Sequence, residues 1–155
     1  MSVFRNVFRS KSLQRISSKN VRINILGNLD KFPEDIQINA NKLIKDTATN
    51  DGLTVNIALN YGGRQEILRA VNLVLKDTLD EVDEEIFSSY LYTKDQPDPD
   101  LIIRTSGEQR LSGFLPWQSI YSELYFTKKY WPEFDTKAFD EALAEYEDRD
   151  RRFGK

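Results

Sequence analysis

The chain has 155 residues, of which 39% are hydrophobic, with a net charge of −3 and a pI near 5.1. These values predict a single cytoplasmic domain over residues 1–155 with one modest core, and they give no reason to expect nucleic acid as a partner. The sequence has no cysteine and no histidine, which excludes disulfides, Cys or His metal ligands and Ser-His or Cys-His nucleophile pairs.

Residues 1–22 carry six basic side chains and no acid. Val3, Phe4, Val7 and Phe8 recur at helical spacing, which predicts a basic amphipathic helix. Three interpretations are open: an organelle transit peptide, a helix lying on an anionic membrane surface, or an exposed helix that leads into the next strand. We favour the third, because residues 17–22 run into that strand without a linker.

Residues 21–26 and 53–60 are each typical of a strand, and the first ends at a Gly-Asn turn. Between them, an apolar stripe at helical spacing predicts a helix that begins at Pro33. The stripe consists of Ile36, Ala40, Leu43 and Ile44.

The second strand leads into another helix through residues 61–64, Tyr-Gly-Gly-Arg. A glycine pair at such a turn lets backbone amides approach a ligand, and a helix N-terminus attracts anions. Two glycines at a tight turn are more often steric, and the spacing matches neither a dinucleotide nor a Walker loop. Further on, residues 77–85 hold six acids, which predicts a solvated helix boundary rather than a metal cluster.

The side chains best suited to binding or catalysis lie between residues 99 and 126. The apolar run 101–103 predicts a short strand buried on both faces, and a polar loop follows it. That loop carries Arg104, Arg110 and several hydroxyls, including that of Ser112. Ligands of open α/β sheets bind beyond the carboxyl ends of the strands, and arginine grips phosphate through paired N–H donors. The loop is therefore predicted to clamp a cluster of anionic oxygens.

Residues 121–126, Tyr-Ser-Glu-Leu-Tyr-Phe, predict an aromatic-rich strand with Tyr121, Glu123 and Tyr125 on one face. A carboxylate between two aromatic rings is costly to bury unless it pairs with a cation. That cation is either Mg²⁺, which takes one or two carboxylates plus substrate phosphates, or the guanidinium of Arg104 or Arg110 in a structural ion pair.

After this strand, residues 130–132 (Tyr-Trp-Pro) predict aromatic core packing, and Asp135 is placed to cap a last helix. One face of that helix carries Phe139, Ala142, Leu143 and Tyr146, and its last turn is rich in arginine. Strands separated by helical patterns predict an α/β fold with a mostly parallel sheet flanked by helices.

The block DLIIRTSGEQRLSGFLPWQSIYSELYF, residues 100–126, resembles the signature block of the cis-prenyltransferases, the isoprenyl transferases of the undecaprenyl diphosphate synthase type. The likeness extends to NIALNYGGRQEI upstream and to YWPEFD and RRFGK downstream. It implies that Glu123 helps to hold Mg²⁺. The substrate-binding set that it implies, for isopentenyl diphosphate, is Arg104, Arg110, Leu111 and Ser112. It also implies that Arg152 and Gly154 reach the diphosphate site of a neighbouring subunit in a dimer.

The family begins with an Asp-Gly-Asn-Gly-Arg-Trp-Ala loop, whose aspartate is the second pole of the metal site and which cradles the allylic diphosphate. Neither this loop nor the family's Ser-x-Glu-Asn-Trp block occurs in the 155 residues. The resemblance therefore implies the C-terminal portion of an isoprenyl transferase, with a fold that is incomplete relative to the family domain and negligible turnover alone.

The expected activity is elongation of an allylic prenyl diphosphate with isopentenyl diphosphate. The alternative is a non-catalytic diphosphate-binding fragment, or a partner subunit of a complete isoprenyl transferase. A homodimer or such a pair is expected, together with peripheral membrane contact, because the family's product is a long lipid.

Overall fold

The computed structural model describes residues 19–77 and 79–149. The basic helix predicted at the start of the chain lies outside these residues up to position 18, and so do Arg152 and Gly154. The chain forms two compact units, Met1–Lys94 and Asp95–Lys155. The prediction of one domain over residues 1–155 stays a prediction.

A parallel pair of strands organises the first unit. Strand β1 (Arg22–Leu26) pairs with β2 (Thr54–Ala58), with Ile23 opposite Val55 in the register. Ile23 and Leu26 are buried. Parallel neighbours need a crossover connection, and helix α1 (Glu34–Thr47) supplies it. Both strands fall where the sequence predicted them.

Helix α1 is fixed to β1 by its buried face and by one hydroxyl. Pro33 precedes its first turn, as predicted, and Ile36 and Ala40 are fully buried. Thr47 donates to the carbonyl of Leu43 (2.9 Å) and accepts from the backbone N–H of Ile23 (3.1 Å). The buried hydroxyl thus satisfies one backbone donor of the strand.

Helix α2 (Gly63–Lys76) follows β2, and the short helix α3 (Glu84–Ser89) follows α2. Asp83 caps α3 by accepting from the N–H of Ile86 (2.7 Å). All six acids between residues 77 and 85 are exposed. Their exposure is what the predicted solvated boundary requires.

The second unit has its own parallel pair, β3 (Leu101–Arg104) and β4 (Glu123–Phe126). Leu101 lies opposite Glu123, and Arg104 lies opposite Phe126. Full burial of β3 was wrongly predicted: only Ile102 is buried and its three neighbours are half-buried. Strand β4 also begins two residues later than predicted, because the preceding residues form a turn.

Helix α4 (Thr136–Glu147) packs on β4, and Asp135 caps it by accepting from the N–H of Ala138 (2.9 Å). Its buried face consists of Ala138 and Ala142, whereas Phe139 and Leu143 are partly exposed. The buried stripe is therefore rotated from the predicted one.

Core packing of the aromatic residues before α4 was also wrongly predicted. Tyr130 and Trp131 are 63% and 75% exposed. Trp131 lies in a 3₁₀ turn (Trp131–Glu133) and stacks on Phe134 with ring centroids 6.3 Å apart. The two rings cover each other rather than filling the core.

The α/β fold with parallel strands and flanking helices is confirmed. In the part of the chain that the structure describes, no helix has the length and apolar character needed to cross a bilayer.

Candidate functional site: an arginine loop after strand β3

Several residues of the loop after β3 have a left-handed backbone conformation. Ser106, Gly107, Ser112 and Gly113 have φ angles of 72°, 76°, 51° and 79°. Such angles are costly for residues with a Cβ, so the loop conformation must be supported by other contacts. Two backbone bonds supply support: the N–H of Ser106 donates to the carbonyl of Lys129, and that of Gly107 to the carbonyl of Thr127, both at 2.8 Å.

The shaped loop brings Arg104, Arg110 and Ser112 together. The Nη1 atom of Arg104 donates to the Ser112 hydroxyl at 3.0 Å and to the backbone carbonyl of Arg110. Leu111 is half-buried between them, and its carbonyl accepts from the N–H of Phe114 (3.0 Å). The structure therefore places all four predicted substrate-binding residues in one loop at the carboxyl end of β3.

The Arg110 guanidinium is turned towards solvent. It pairs with the carboxylate of Glu108, and its side chain is 62% exposed. An exposed pair of this kind contributes little stability, so an anion can displace Glu108 from Arg110 at low cost. The paired N–H donors of a guanidinium match the acceptor oxygens of a carboxylate or phosphate group.

Glu123 lies at the other end of the strand pair. It faces Leu101 in the register, three residues before Arg104. At roughly 3.3 Å per residue, its backbone lies about 10 Å along the strand direction from the start of the arginine loop. The structure thus does not bring Glu123 together with Arg104 and Arg110.

Within the described residues, the cation that pairs with Glu123 is Arg149, just after the end of α4. Arg149 Nη1 donates to Glu123 Oε2 at 2.8 Å, and Arg149 also pairs with Glu145. Hydrogen bonds from the guanidinium to Glu123 first and Glu145 second raise the pKa of Arg149. The predicted ion pair of Glu123 with Arg104 or Arg110 is wrong. Sequence analysis missed this partner because the pair joins residues 26 positions apart, which no local pattern reveals.

The described residues do not by themselves make a Mg²⁺ site. The Glu123 carboxylate already has a guanidinium partner, and residues 19–77 and 79–149 hold no cluster of three or more His, Cys, Asp or Glu. Mg²⁺ prefers octahedral oxygen ligands, and here Glu123 would supply at most a fraction of them. The role of Glu123 as a metal ligand stays a prediction.

A family model described as "Putative undecaprenyl diphosphate synthase" matches residues 1–154. The chain belongs to this prenyltransferase family.

Individual relatives agree with the family assignment. An isoprenyl transferase from Fusobacterium nucleatum is 47% identical over 154 residues, covering 99% of this chain and 66% of that protein. One from Thermotoga maritima is 49% identical over 148 residues, covering 93% and 64%. One from Clostridium perfringens is 42% identical and covered over 60% of its length. The chain therefore spans between 60% and 66% of these three prenyltransferases.

Solved prenyltransferase structures share the fold. Lavandulyl diphosphate synthase from Lavandula x intermedia, in complex with dimethylallyl diphosphate, has a TM-score of 0.91 and 32% identity, covering 99% of this chain and 69% of that one. A probable undecaprenyl diphosphate synthase from Campylobacter jejuni has a TM-score of 0.82 and 31% identity, covering 98% and 79%. The predicted family and fold are confirmed.

Proposed function

We propose that this chain carries the isopentenyl diphosphate half-site of a cis-prenyl transfer enzyme, with Arg104, Arg110, Leu111 and Ser112 as its binding residues. The observation that supports the proposal is the convergence of Arg104, the Ser112 hydroxyl and the Arg110 backbone in one loop of a prenyltransferase chain. The guanidinium groups of Arg104 and Arg110 and the Ser112 hydroxyl are donors of the kind that bind diphosphate oxygens.

In the proposed reaction, the arginine loop fixes the diphosphate of isopentenyl diphosphate and so positions its double bond. The double bond attacks the allylic carbon, the carbon–oxygen bond breaks, and pyrophosphate leaves with the electron pair. Loss of a proton from the adduct then restores a double bond. The chain's contribution is positioning, which accounts for several kcal/mol of a barrier in well-oriented systems.

Magnesium would assist departure of the allylic diphosphate when bound, but its holding residues are not assembled within this chain's described part. We therefore expect negligible turnover from the chain alone.

Calorimetric titration with isopentenyl diphosphate tests the half-site. A charge-assisted hydrogen bond contributes about 1.5–3 kcal/mol, so we expect Arg104→Ala and Arg110→Ala each to weaken binding by at least about tenfold. Lys137→Ala, which removes an exposed cation on α4 in the same unit, is the matched control. Equal affinities for all four proteins would remove the proposed clamp.

The second candidate function is a non-catalytic diphosphate-binding fragment, or a partner subunit of a complete isoprenyl transferase, in which the same contacts of Arg104 hold the diphosphate-binding loop. Incubation of the purified chain with isopentenyl diphosphate and an allylic prenyl diphosphate in Mg²⁺ tests the expected lack of turnover, and polyprenyl product would overturn that expectation. Adding the chain to a complete isoprenyl transferase then tests the partner: a change in the rate of product formation would favour it, and an unchanged rate would contradict it.

The proposed assembly is a homodimer or a pair with a complete subunit, in which Arg152 and Gly154 reach the neighbouring diphosphate site. Sedimentation equilibrium with and without isopentenyl diphosphate measures the assembly. A monomer at all concentrations would contradict the dimer.

A further inference from the structure

A cavity of about 410 Å³ opens in the first compact unit, at the carboxyl ends of β1 and β2. Asn28 and Asn60, each two residues beyond the end of its strand, line it together with the start of α2. This volume lies in the range of small-molecule sites, and the carboxyl ends of parallel strands are where such sites occur in open α/β sheets. The lining residues that the structure describes all belong to the first unit and include none of the arginine loop.

A buried carboxylate builds the cavity wall. Glu66 on α2 is 1% exposed. Its Oε2 accepts from the Tyr61 hydroxyl at 2.5 Å, and its Oε1 accepts from the backbone N–H of Tyr92 at 2.7 Å. The two tyrosine rings meet edge to face, with centroids 6.4 Å apart. Both oxygens of Glu66 thus accept hydrogen bonds that hold Tyr61 and the backbone of Tyr92 in the cavity wall.

Two cations face the same cavity. Lys31 follows β1 in an exposed 3₁₀ turn (Leu29–Lys31). Arg69 lies on α2 with its guanidinium carbon 4.4 Å from the centroid of the Tyr92 ring, and its Nη1 donates to the carbonyl of Tyr90 at 2.9 Å. The ring and the carbonyl orient this guanidinium beside the cavity, and the bond to Tyr90 uses one of its five N–H donors.

The other polar lining residues in the described part of the chain are neutral. Asn60 donates through Nδ2 to the carbonyl of Asn28 at 3.0 Å, which ties the two strand exits together. Gln65 lies over Gly62, and a Cβ at Gly62 would come within 2.0 Å of Gln65 Oε1. Glycine at this position therefore lets the amide of Gln65 lie at the cavity mouth.

We propose that this cavity binds an oxyanion of the phosphate or diphosphate class, gripped by Lys31 and Arg69 with the Gln65 amide beside them. Two cations against one carboxylate give the described lining residues a net positive charge, and guanidinium and ammonium groups are the side chains that bind phosphate oxygens. The site lies in a different unit from the Arg104 loop, so it stands or falls independently of the proposed function.

Titration of the complete chain with inorganic pyrophosphate, in an Arg104→Ala background, isolates this site from the arginine loop. We expect saturable binding to persist in that background, and Lys31→Ala and Arg69→Ala each to weaken it by at least about tenfold, a change of 1.4 kcal/mol. The matched control is Arg64→Ala, which removes an exposed cation of the same helix that does not line the cavity. Absence of binding in the Arg104→Ala background would overturn the proposal. So would equal weakening by all three substitutions, which indicates general charge attraction.

Arg69→Ala also removes a packing contact on Tyr92, so amide NMR shifts serve as a second measurement. Pyrophosphate is expected to move the amides of residues 28–31 and 61–65 and to leave those of β3 and β4 in place. Shifts restricted to other regions would refute the site. Repeating the titration with isopentenyl diphosphate identifies the source of the anion: comparable affinity assigns a prenyl diphosphate headgroup, and selective binding of inorganic pyrophosphate assigns the released product.

Discussion

Replacing Arg149 by alanine is expected to destabilise the second unit by about 1–2 kcal/mol. The substitution removes two ion pairs, and the pair with Glu123 is the more valuable because its side chains are only 31% and 30% exposed. We assign that pair roughly 1 kcal/mol, the upper end for solvent-accessible pairs, and the i,i+4 pair with Glu145 about 0.3–0.5 kcal/mol. Leaving the half-buried Glu123 carboxylate without this donor adds a further cost.

Urea unfolding followed by circular dichroism measures this loss. Glu145→Gln is the matched control, since it removes only the weaker pair and is expected to cost about 0.3–0.5 kcal/mol. A double-mutant cycle of Arg149→Ala with Glu123→Gln isolates the stronger pair. The coupling energy between Arg149 and Glu123 is expected to shrink at high salt, because screening weakens accessible ion pairs. Strictly additive effects in the cycle would refute the assignment of Arg149 as the partner of Glu123.

Three further predictions concern the fold. Ile36→Ala, at a side chain that is 1% exposed, is expected to cost about 2–5 kcal/mol in urea unfolding, and a loss below 1 kcal/mol would contradict its place in the core. Gly27→Ala is expected to destabilise more than Gly113→Ala in the same assay: both have positive φ, but only at Gly27 would the Cβ meet a backbone atom, 2.2 Å from Leu59 O. The backbone N–H of Ala138 holds the pKa of Asp135 below its ordinary 3.8. The cap's contribution is therefore present above pH 3.8 and lost as the pH falls through the lower folded-state value, so acid should reduce helicity by circular dichroism in the parent chain, and equal acid sensitivity in Asp135→Asn would contradict this.

The strands and helices were predictable because their signals are local. The stripe around Ile36 and Ala40 needs only helical spacing, and the cap at Asp135 needs only one side chain and the next turn. The exposure of Trp131 was not predictable in this way, because whether a ring enters the core depends on the elements that cover it.

In the candidate site too, contacts within one loop were predictable from the sequence and contacts set by strand register were not. Arg104 and Ser112 are eight residues apart in one loop, so their proximity followed from the sequence. The position of Glu123 depends on the register of β4 against β3, which places it opposite Leu101. Register is fixed by tertiary packing, so the sequence pattern around Glu123 suggested a closeness to Arg104 that the structure does not have.

Each parallel pair has only two strands, so every strand within residues 19–77 and 79–149 is an edge strand. Each therefore presents one row of amide and carbonyl groups to whatever lies alongside, and such a row recruits extended chain from other molecules. We expect aggregation of this protein to proceed by pairing of these exposed backbone groups between molecules. Dilution, or a lysine substituted on one of these strands, should therefore reduce aggregation more than the removal of surface leucines.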